Sequence, residues 1–206
     1  MTSPSPPIAA IAFDLGNVLV KVDHRRFCRR LGELTGTPPQ EVYTVVFETA
    51  LESDYDTGRL SSREFHRLIS ARFGLNLPFS RFRELWTEIF DPLDDMAEVA
   101  ARLAQRYPLY LLSNTNELHF EYIRENYAHL LKPFRAFILS YRVGARKPEG
   151  EIFQALIRQA GLPPAQILYT DDKENFVAAA RTNGLTAWHF VSPRDFQEQL
   201  NAAGLW

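Results

Sequence analysis

The chain has one cysteine, no excess of either charge, no internal repeat and no apolar run that approaches the ~20 residues needed to span a bilayer. Each absence removes a class of function. Cys28 has no partner for an intramolecular disulfide, and Arg25, Arg26, Arg29 and Arg30 would favour its thiolate only if they lay close in space. It therefore reads as a half-buried helix residue, and the arginines as a solvated helix face. The 23 basic and 25 acidic residues give a formal net charge of -2. The basic ones are dispersed, which argues against a nucleic-acid surface. The five histidines form no metal-spaced cluster. The stretch Met1 to Pro7 is proline-rich and has no basic region ahead of the apolar residues that follow, the pattern of a loose tail on a cytoplasmic protein.

What is present is a globular composition, 46% hydrophobic and 23% charged over 206 residues, enough for a full core and one domain with a modest insertion. Ile8 to Phe13 is a continuous apolar run without amphipathic spacing, as expected of a strand covered on both faces of a parallel sheet, and it stops at Asp14. Similar runs are Leu109 to Leu112, Phe137 to Leu139, Ile167 to Thr170 and Leu185 to Phe190. Helical patterns lie between them: one opened by Asp94 or Asp95, one opened by Pro148 and closed by Gly161, and a last one started by Ser192 and Pro193. Strand alternating with helix predicts an α/β fold with about five parallel strands. From about Asp23 to Phe90 the alternation breaks into successive helices with no convincing strand. Within that segment Ser61 and Glu64 fit a capping box, and Ser80 caps a further helix.

In open parallel sheets a ligand sits beyond the carboxyl ends of the strands. The residues there are polar: Asp14-Leu15-Gly16-Asn17-Val18, Ser113-Asn114-Thr115-Asn116, the loop holding Lys147, and Asp171-Asp172. Taken singly, each has an ordinary structural reading as a turn residue or helix cap. Together, three carboxylates and one lysine would leave the site too negative for an anionic substrate, and a hard divalent cation resolves this. Magnesium suits such an all-oxygen donor set and would bridge Asp14, one or both of Asp171 and Asp172, and a phosphate oxygen. With charge balanced, Asp14 can attack phosphorus, while Ser113, Asn114 and the amides opening the next helix hold phosphoryl oxygens and Lys147 neutralises developing charge.

Phe13-Asp14-Leu15-Gly16-Asn17-Val18-Leu19, Leu112-Ser113-Asn114, Lys147-Pro148 and Asp171-Asp172 resemble, in order and spacing, the four motifs of the haloacid dehalogenase superfamily. The likeness spans nearly the whole chain. It implies a Rossmann-like core of residues 1–20 and 92–206, with a mobile all-helical cap of residues 21–91 inserted after the first strand. It further implies Asp14 as nucleophile and magnesium held by Asp14, the main-chain carbonyl of Gly16 and the acids Asp171 and Asp172, with Asp172 the direct ligand of the two. The activity implied is removal of phosphate from a small-molecule phosphate ester, with neither nucleic acid nor membrane as partner.

One position departs from the pattern. Phosphatases of this family carry a second aspartate two residues after the nucleophile, as proton donor and then base, and here that residue is Gly16. Such help is typically worth 10²- to 10⁴-fold, about 3 to 5 kcal/mol of barrier. A substrate with a good leaving group, such as a sugar 1-phosphate, needs it least, and members opening with the same Asp-Leu-Gly-Asn-Val pattern resemble sugar-phosphate phosphatases. Otherwise Asp23, Asp54 or Asp56 would supply the proton, or catalysis has decayed and left a phosphometabolite- or partner-binding module. A metal-independent dehalogenase also lacks the second aspartate, but it has little reason to hold Asp171 and Asp172 beside the nucleophile. His119, one turn past Asn114, is near enough to touch substrate but reads as a solvated helix residue. His24, His66, His129 and His189 read as structural.

Overall fold

The computed structural model describes residues 7–206. The tail inferred at the N-terminus therefore lies largely outside the described residues. The chain opens with strand β1 (Ala10–Phe13) and a short β2 (Val20–Val22), followed by five helices: α1 (His24–Thr35), α2 (Pro39–Phe47), α3 (Ala50–Asp56), α4 (Ser62–Phe73) and α5 (Phe79–Thr87). A short β3 (Phe90–Pro92) returns the chain to α6 (Asp94–Leu103), β4 (Leu109–Ser113), α7 (Glu117–Asn126), α8 (Ala128–Leu131), β5 (Phe134–Leu139) and α9 (Ser140–Val143). The remaining elements are α10 (Gly150–Ala160), β6 (Ile167–Asp171), α11 (Glu174–Thr182), β7 (Thr186–His189) and α12 (Pro193–Ala202).

The main sheet has five strands in the order β5-β4-β1-β6-β7, every neighbouring pair parallel. The five apolar runs therefore became the five strands. Along β1, Ile11 and Phe13 enter the core on one face and Ala10 and Ala12 the core on the other, which is why the run shows no alternation. Helices α6, α7 and α12 cover the first face with Val99, Leu103, Ile123, Phe196 and Leu200. Helices α10 and α11 cover the second with Ile152, Phe153, Leu156 and Val177. The strand order leaves β1 flanked by β4 and β6, so the chain reverses its direction of winding beside β1, the place where open sheets bind ligands.

The helical segment has its own apolar centre around Phe27, Val42, Phe65, Phe82 and Trp86, continuous with the first core. The expected capping box is present: Glu64 N donates to Ser61 Oγ at 3.3 Å and Ser61 N to Glu64 Oε2 at 2.8 Å. Ser192 likewise caps α12. Other local expectations need correction. The segment is bracketed by two strands, β2 and β3, which pair antiparallel with Lys21 opposite Asp91; three residues are too few to show a periodicity. Pro78, not Ser80, precedes α5, its φ of -62° already suited to the turn. Leu93 stands before α6, with Asp94 and Asp95 in its first turn. Helix α10 begins at Gly150, after Pro148. Cys28 is 1% exposed rather than half-buried, and burial pushes its thiol up to about 11.

No helix among the described residues is long and apolar enough to cross a membrane.

Candidate active site

Strand register assembles the site. Phe13 pairs with Thr170 on β6, so the next residues, Asp14 and Asp171, end their strands side by side. Asp14 N donates to Thr170 O at 2.9 Å, and the residue is only 7% exposed. Lys147, from the loop between α9 and α10, reaches the same point and is 1% exposed. Its Nζ lies 2.8 Å from Asp14 Oδ1 and 2.7 Å from Asp171 Oδ2, and donates to Tyr169 Oη at 2.8 Å. The Tyr169 hydroxyl donates to Asp171 Oδ2, and Lys173 N donates to Asp171 Oδ1 at 2.9 Å. Both oxygens of Asp171 are thus engaged by protein donors.

Asp172 is placed differently. It lines a cavity of about 310 Å³ together with Asp14 and Gly16, and its Oδ2 accepts a bond from Asn17 Nδ2 at 3.0 Å. Asn17 sits at φ 56°, a left-handed conformation that asparagine tolerates better than most residues. It is held there by its N donating to Val20 O at 2.6 Å and by Val22 N donating to its Oδ1 at 3.2 Å. The tight turn from Leu15 to Leu19 therefore aims one amide at Asp172 and presents Gly16 to the cavity.

Carboxylate oxygens of Asp14, Asp171 and Asp172 lie within 4.8 Å of one another. Burial raises the Asp14 carboxyl to about 7, against the pull of Lys147. Burial also works to raise Asp171, but the Lys147 charge and the hydrogen bonds around it outweigh that and hold it low. Asp172 is raised, chiefly by burial. For Lys147 burial opposes the ammonium, yet the two aspartates more than compensate. One ammonium among three carboxyls leaves Asp14 undercharged as a carboxylate, a deficit that a hard divalent cation would remove. The donors fit such an ion: all are oxygens, with no sulfur or imidazole among the clustered groups. Asp14, Gly16 and Asp172 face the cavity and could hold it, while Asp171 is committed to Lys147.

Asn114 clamps the lysine through its main chain: Lys147 N donates to Asn114 Oδ1 at 2.8 Å and Asn114 Nδ2 donates to Lys147 O at 3.0 Å. Ser113 is 2% exposed, and its hydroxyl donates to Asn114 O at 3.3 Å. The helix that follows is capped by Asn116, whose side chain accepts from His119 N at 3.1 Å, and not by Ser113 or Asn114.

The helical segment also lines the cavity. Glu52 and Asp56 on α3, with His24, Tyr43 and Phe47, line the same cavity as Asp14. Of the three acids considered as proton sources, only Asp56 is there. Asp23 caps α1 and pairs with Arg26 at 3.4 Å, and Asp54 pairs with Arg59 at 3.0 Å. Glu52 was not foreseen, although it stands four residues before Asp56 and so shares its helix face.

His119 corrects its expected exposure: it is 5% exposed and stacked on Trp86, ring centroids 4.6 Å apart. Its Nε2 lies 3.1 Å from Trp86 O and its Nδ1 3.1 Å from Asn116 Nδ2, and burial lowers its pKa to about 3, so the ring is neutral. His24 also lines the cavity, stacked on Phe47 and lowered to about 4 by burial and Lys173. Arg26 pairs with Asp91 and Arg30 with Glu88, on the surface as expected.

Comparison with known proteins gives the same picture. D-ribitol-5-phosphate phosphatase of Bacteroides thetaiotaomicron is 24% identical over 94% of this chain and 97% of its own length. A haloacid dehalogenase family enzyme of that organism, solved with magnesium and inorganic phosphate, superposes with a TM-score of 0.83 at 23% identity, covering 93% of this chain and 98% of that one. L-2-haloacid dehalogenase of Xanthobacter autotrophicus, with chloropropionic acid covalently bound, superposes less well: TM-score 0.65 at 16% identity, over 97% of this chain and 84% of that one. Residues 8–184 match the haloacid dehalogenase-like hydrolases as a family, and the match runs from β1 through the last acids of the site, so the chain belongs to that family of hydrolases.

Proposed function

We propose that the protein is a magnesium-dependent phosphatase of a small phosphorylated sugar or polyol, working through an aspartyl-phosphate on Asp14. The observation that carries this reading is the cluster of Asp14, Asp171 and Asp172 oxygens within 4.8 Å of one another around a buried Lys147. A metal-free dehalogenase has little reason to hold two further carboxylates beside its nucleophile.

Asp14, Gly16 through its carbonyl, and Asp172 would hold the ion, and Asp171 would orient Lys147 beside it. Such an ion would supply positive charge that stabilises the transferring phosphoryl group and keeps Asp14 ionised. Asp14 forms the bond to phosphorus as the ester bond breaks, and water then attacks phosphorus and releases Asp14. Lys147 holds Asp14 toward the phosphoryl group and offsets its charge, and Asn114 fixes the lysine. Ser113 and Asn114, with the main-chain amides ahead of α7, border the phosphoryl oxygens.

Residues 21–91 act as a cap over a core of residues 1–20 and 92–206, with β2 and β3 as the two crossings between them; both strands fall at those boundaries. The cavity is small, and its cap wall offers carboxyl and imidazole groups suited to hydroxyls. Gly16 at the place of the second aspartate favours sugar 1-phosphates, whose anomeric oxygen leaves with the least help. The ribitol 5-phosphate of the Bacteroides enzyme's name is a primary-alcohol ester and tests the other extreme.

The test is hydrolysis of an aryl phosphate and a panel of sugar and polyol phosphates, with magnesium and with a chelator. Activity is expected only with the metal, and Asp14→Asn is expected to remove it by ~10⁴-fold or more. Full activity of a folded Asp14→Asn protein, or halide release from a 2-haloacid without metal, would overturn the assignment.

A further inference from the structure

We propose that Glu52 is the general acid and base of the reaction, standing in for the aspartate that Gly16 replaces, and that Asp56, one turn away on the same helix, is its positioning residue. The proposal rests on the phosphatase reading and extends it to esters with poor leaving groups.

The two carboxyls face one cavity with the attacking residue. Glu52 and Asp56 lie one turn apart on α3 and line, with Asp14, one cavity of about 310 Å³. In this proposal a substrate whose phosphoryl group meets Asp14 has its leaving side within reach of α3.

Asp56 is anchored rather than free. It is 5% exposed, and its Oδ1 accepts a bond from Asn116 Nδ2 at 3.0 Å. Asn116 is itself fixed, its Oδ1 accepting from Trp86 Nε1 at 3.3 Å and from His119 N at 3.1 Å. This chain of bonds links the end of β4 to the cap and sets Asp56 beside Glu52.

Two neighbouring carboxyls, Asp56 buried and Glu52 half-buried, cannot both ionise easily, so one keeps its proton near neutrality. Burial, then the charge of Asp56, raises Glu52 to about 8, and burial raises Asp56 to about 6. Glu52 is therefore the group that carries the proton at pH 7. Arg146 and Lys173 face the pair from the loop before α10 and the turn before α11 and moderate both shifts. The α1, α2 and α7 groups on the cavity, His24, Tyr43 and His119, bring no positive charge, since both imidazoles are lowered well below neutrality. Asp14, Lys147 and Asp172 complete the charged groups of the cavity.

In the first step a bond forms between an Asp14 oxygen and phosphorus while the ester P–O bond breaks. The Glu52 proton passes to the departing oxygen, which leaves as a neutral alcohol, and Arg146 and Lys173 offset the second negative charge on the pair. In the second step water attacks phosphorus, its proton passes to Glu52, and the Asp14–phosphorus bond breaks. Asp14 and protonated Glu52 are restored, with alcohol and inorganic phosphate as products.

The experiment compares wild type, Glu52→Gln and Asp56→Asn, each with magnesium, on a primary-alcohol sugar phosphate and on an aryl phosphate, across pH 5 to 9. A proton donor matters most where the leaving group is poorest. Glu52→Gln is expected to lose ~10²- to 10³-fold in kcat on the alkyl ester and less than ~10-fold on the aryl ester. The alkaline limb of the wild-type profile, near pH 8, should vanish in Glu52→Gln and move to lower pH in Asp56→Asn, which removes the charge that raises Glu52. Equal losses on both esters, a change in KM alone, or an unaltered alkaline limb in folded Glu52→Gln would overturn the proposal while leaving the phosphatase reading intact. A wild-type protein inactive on both esters would overturn both.

Discussion

The two walls of the cavity are built on different principles. On the sheet side, Asp14 and Asp171 are almost wholly buried at strand ends whose register fixes them, Lys147 is buried between them from the loop before α10, and Asp171 has no oxygen left unpartnered by the protein. On the helical side, Glu52 and Asp56 stand on a helix of seven residues, and Asn116 on the sheet side supplies the bond that anchors Asp56. A rigid wall suits atoms that must meet phosphorus in line, where small misplacements are costly. A wall carried by a separate helical layer suits the leaving group, the part that varies between substrates.

That contrast breaks most visibly at Lys147. Lys147→Met leaves Asp14 and Asp171 buried without their shared cation, a change expected to cost about 3 to 5 kcal/mol of stability and ~10²- to 10³-fold in rate. Denaturant unfolding and kcat measure the two; a stable variant with full activity would mean that the sheet wall does not depend on its lysine. A smaller effect crosses from one wall to the other. A Cβ at Gly16 would meet only Val22 Cγ2, at 3.3 Å, so Gly16→Asp fits with a slight shift. In the Glu52→Gln background it should recover ~10-fold in alkyl-ester turnover by restoring an acid on the sheet side. No recovery would show that the two walls cannot exchange this role.

The smallest effect is thermal and confined to the helical wall. Glu52 has a native pKa of about 8, above its ordinary value of 4.5, so the native state binds more protons than the unfolded chain between those values. Stability tied to this group is present below pH 4.5 and is lost as pH rises toward 8. Glu52→Gln should therefore melt a few degrees higher than wild type at pH 8, about 2 to 4 °C for each kcal/mol, with little difference at pH 5. An identical pH dependence of the two melting curves would remove the carboxyl pair from the account.

The same contrast explains what could be read from sequence. Each acid or lysine of the sheet wall follows an apolar run or precedes a helix, and a run without alternation announces a buried strand whose end faces the crevice. Asp14, Asp171 and Asp172 were legible for that reason, as were the five strands. The helical wall gives no such cue. Helix α3 is short, its apolar spacing does not tell which face meets a cavity, and Glu52 and Asp56 resemble solvated acids until α3 is packed against α2 and α9 and Asn116 bonds Asp56. His119 misleads for a related reason: α7 alone presents it on a polar face, and Trp86 from α5 and Phe90 from β3 bury it. The ribbon of β2 and β3 escaped notice because three-residue strands carry no pattern.

The most direct test of the account is acid quench of the wild-type protein during turnover of a sugar phosphate with magnesium, followed by peptide mapping. The account predicts one phosphoryl group, labile to hydroxylamine, on the peptide carrying Asp14. Steady turnover with no phosphorylated peptide, or with the phosphoryl group on any other residue, would contradict it.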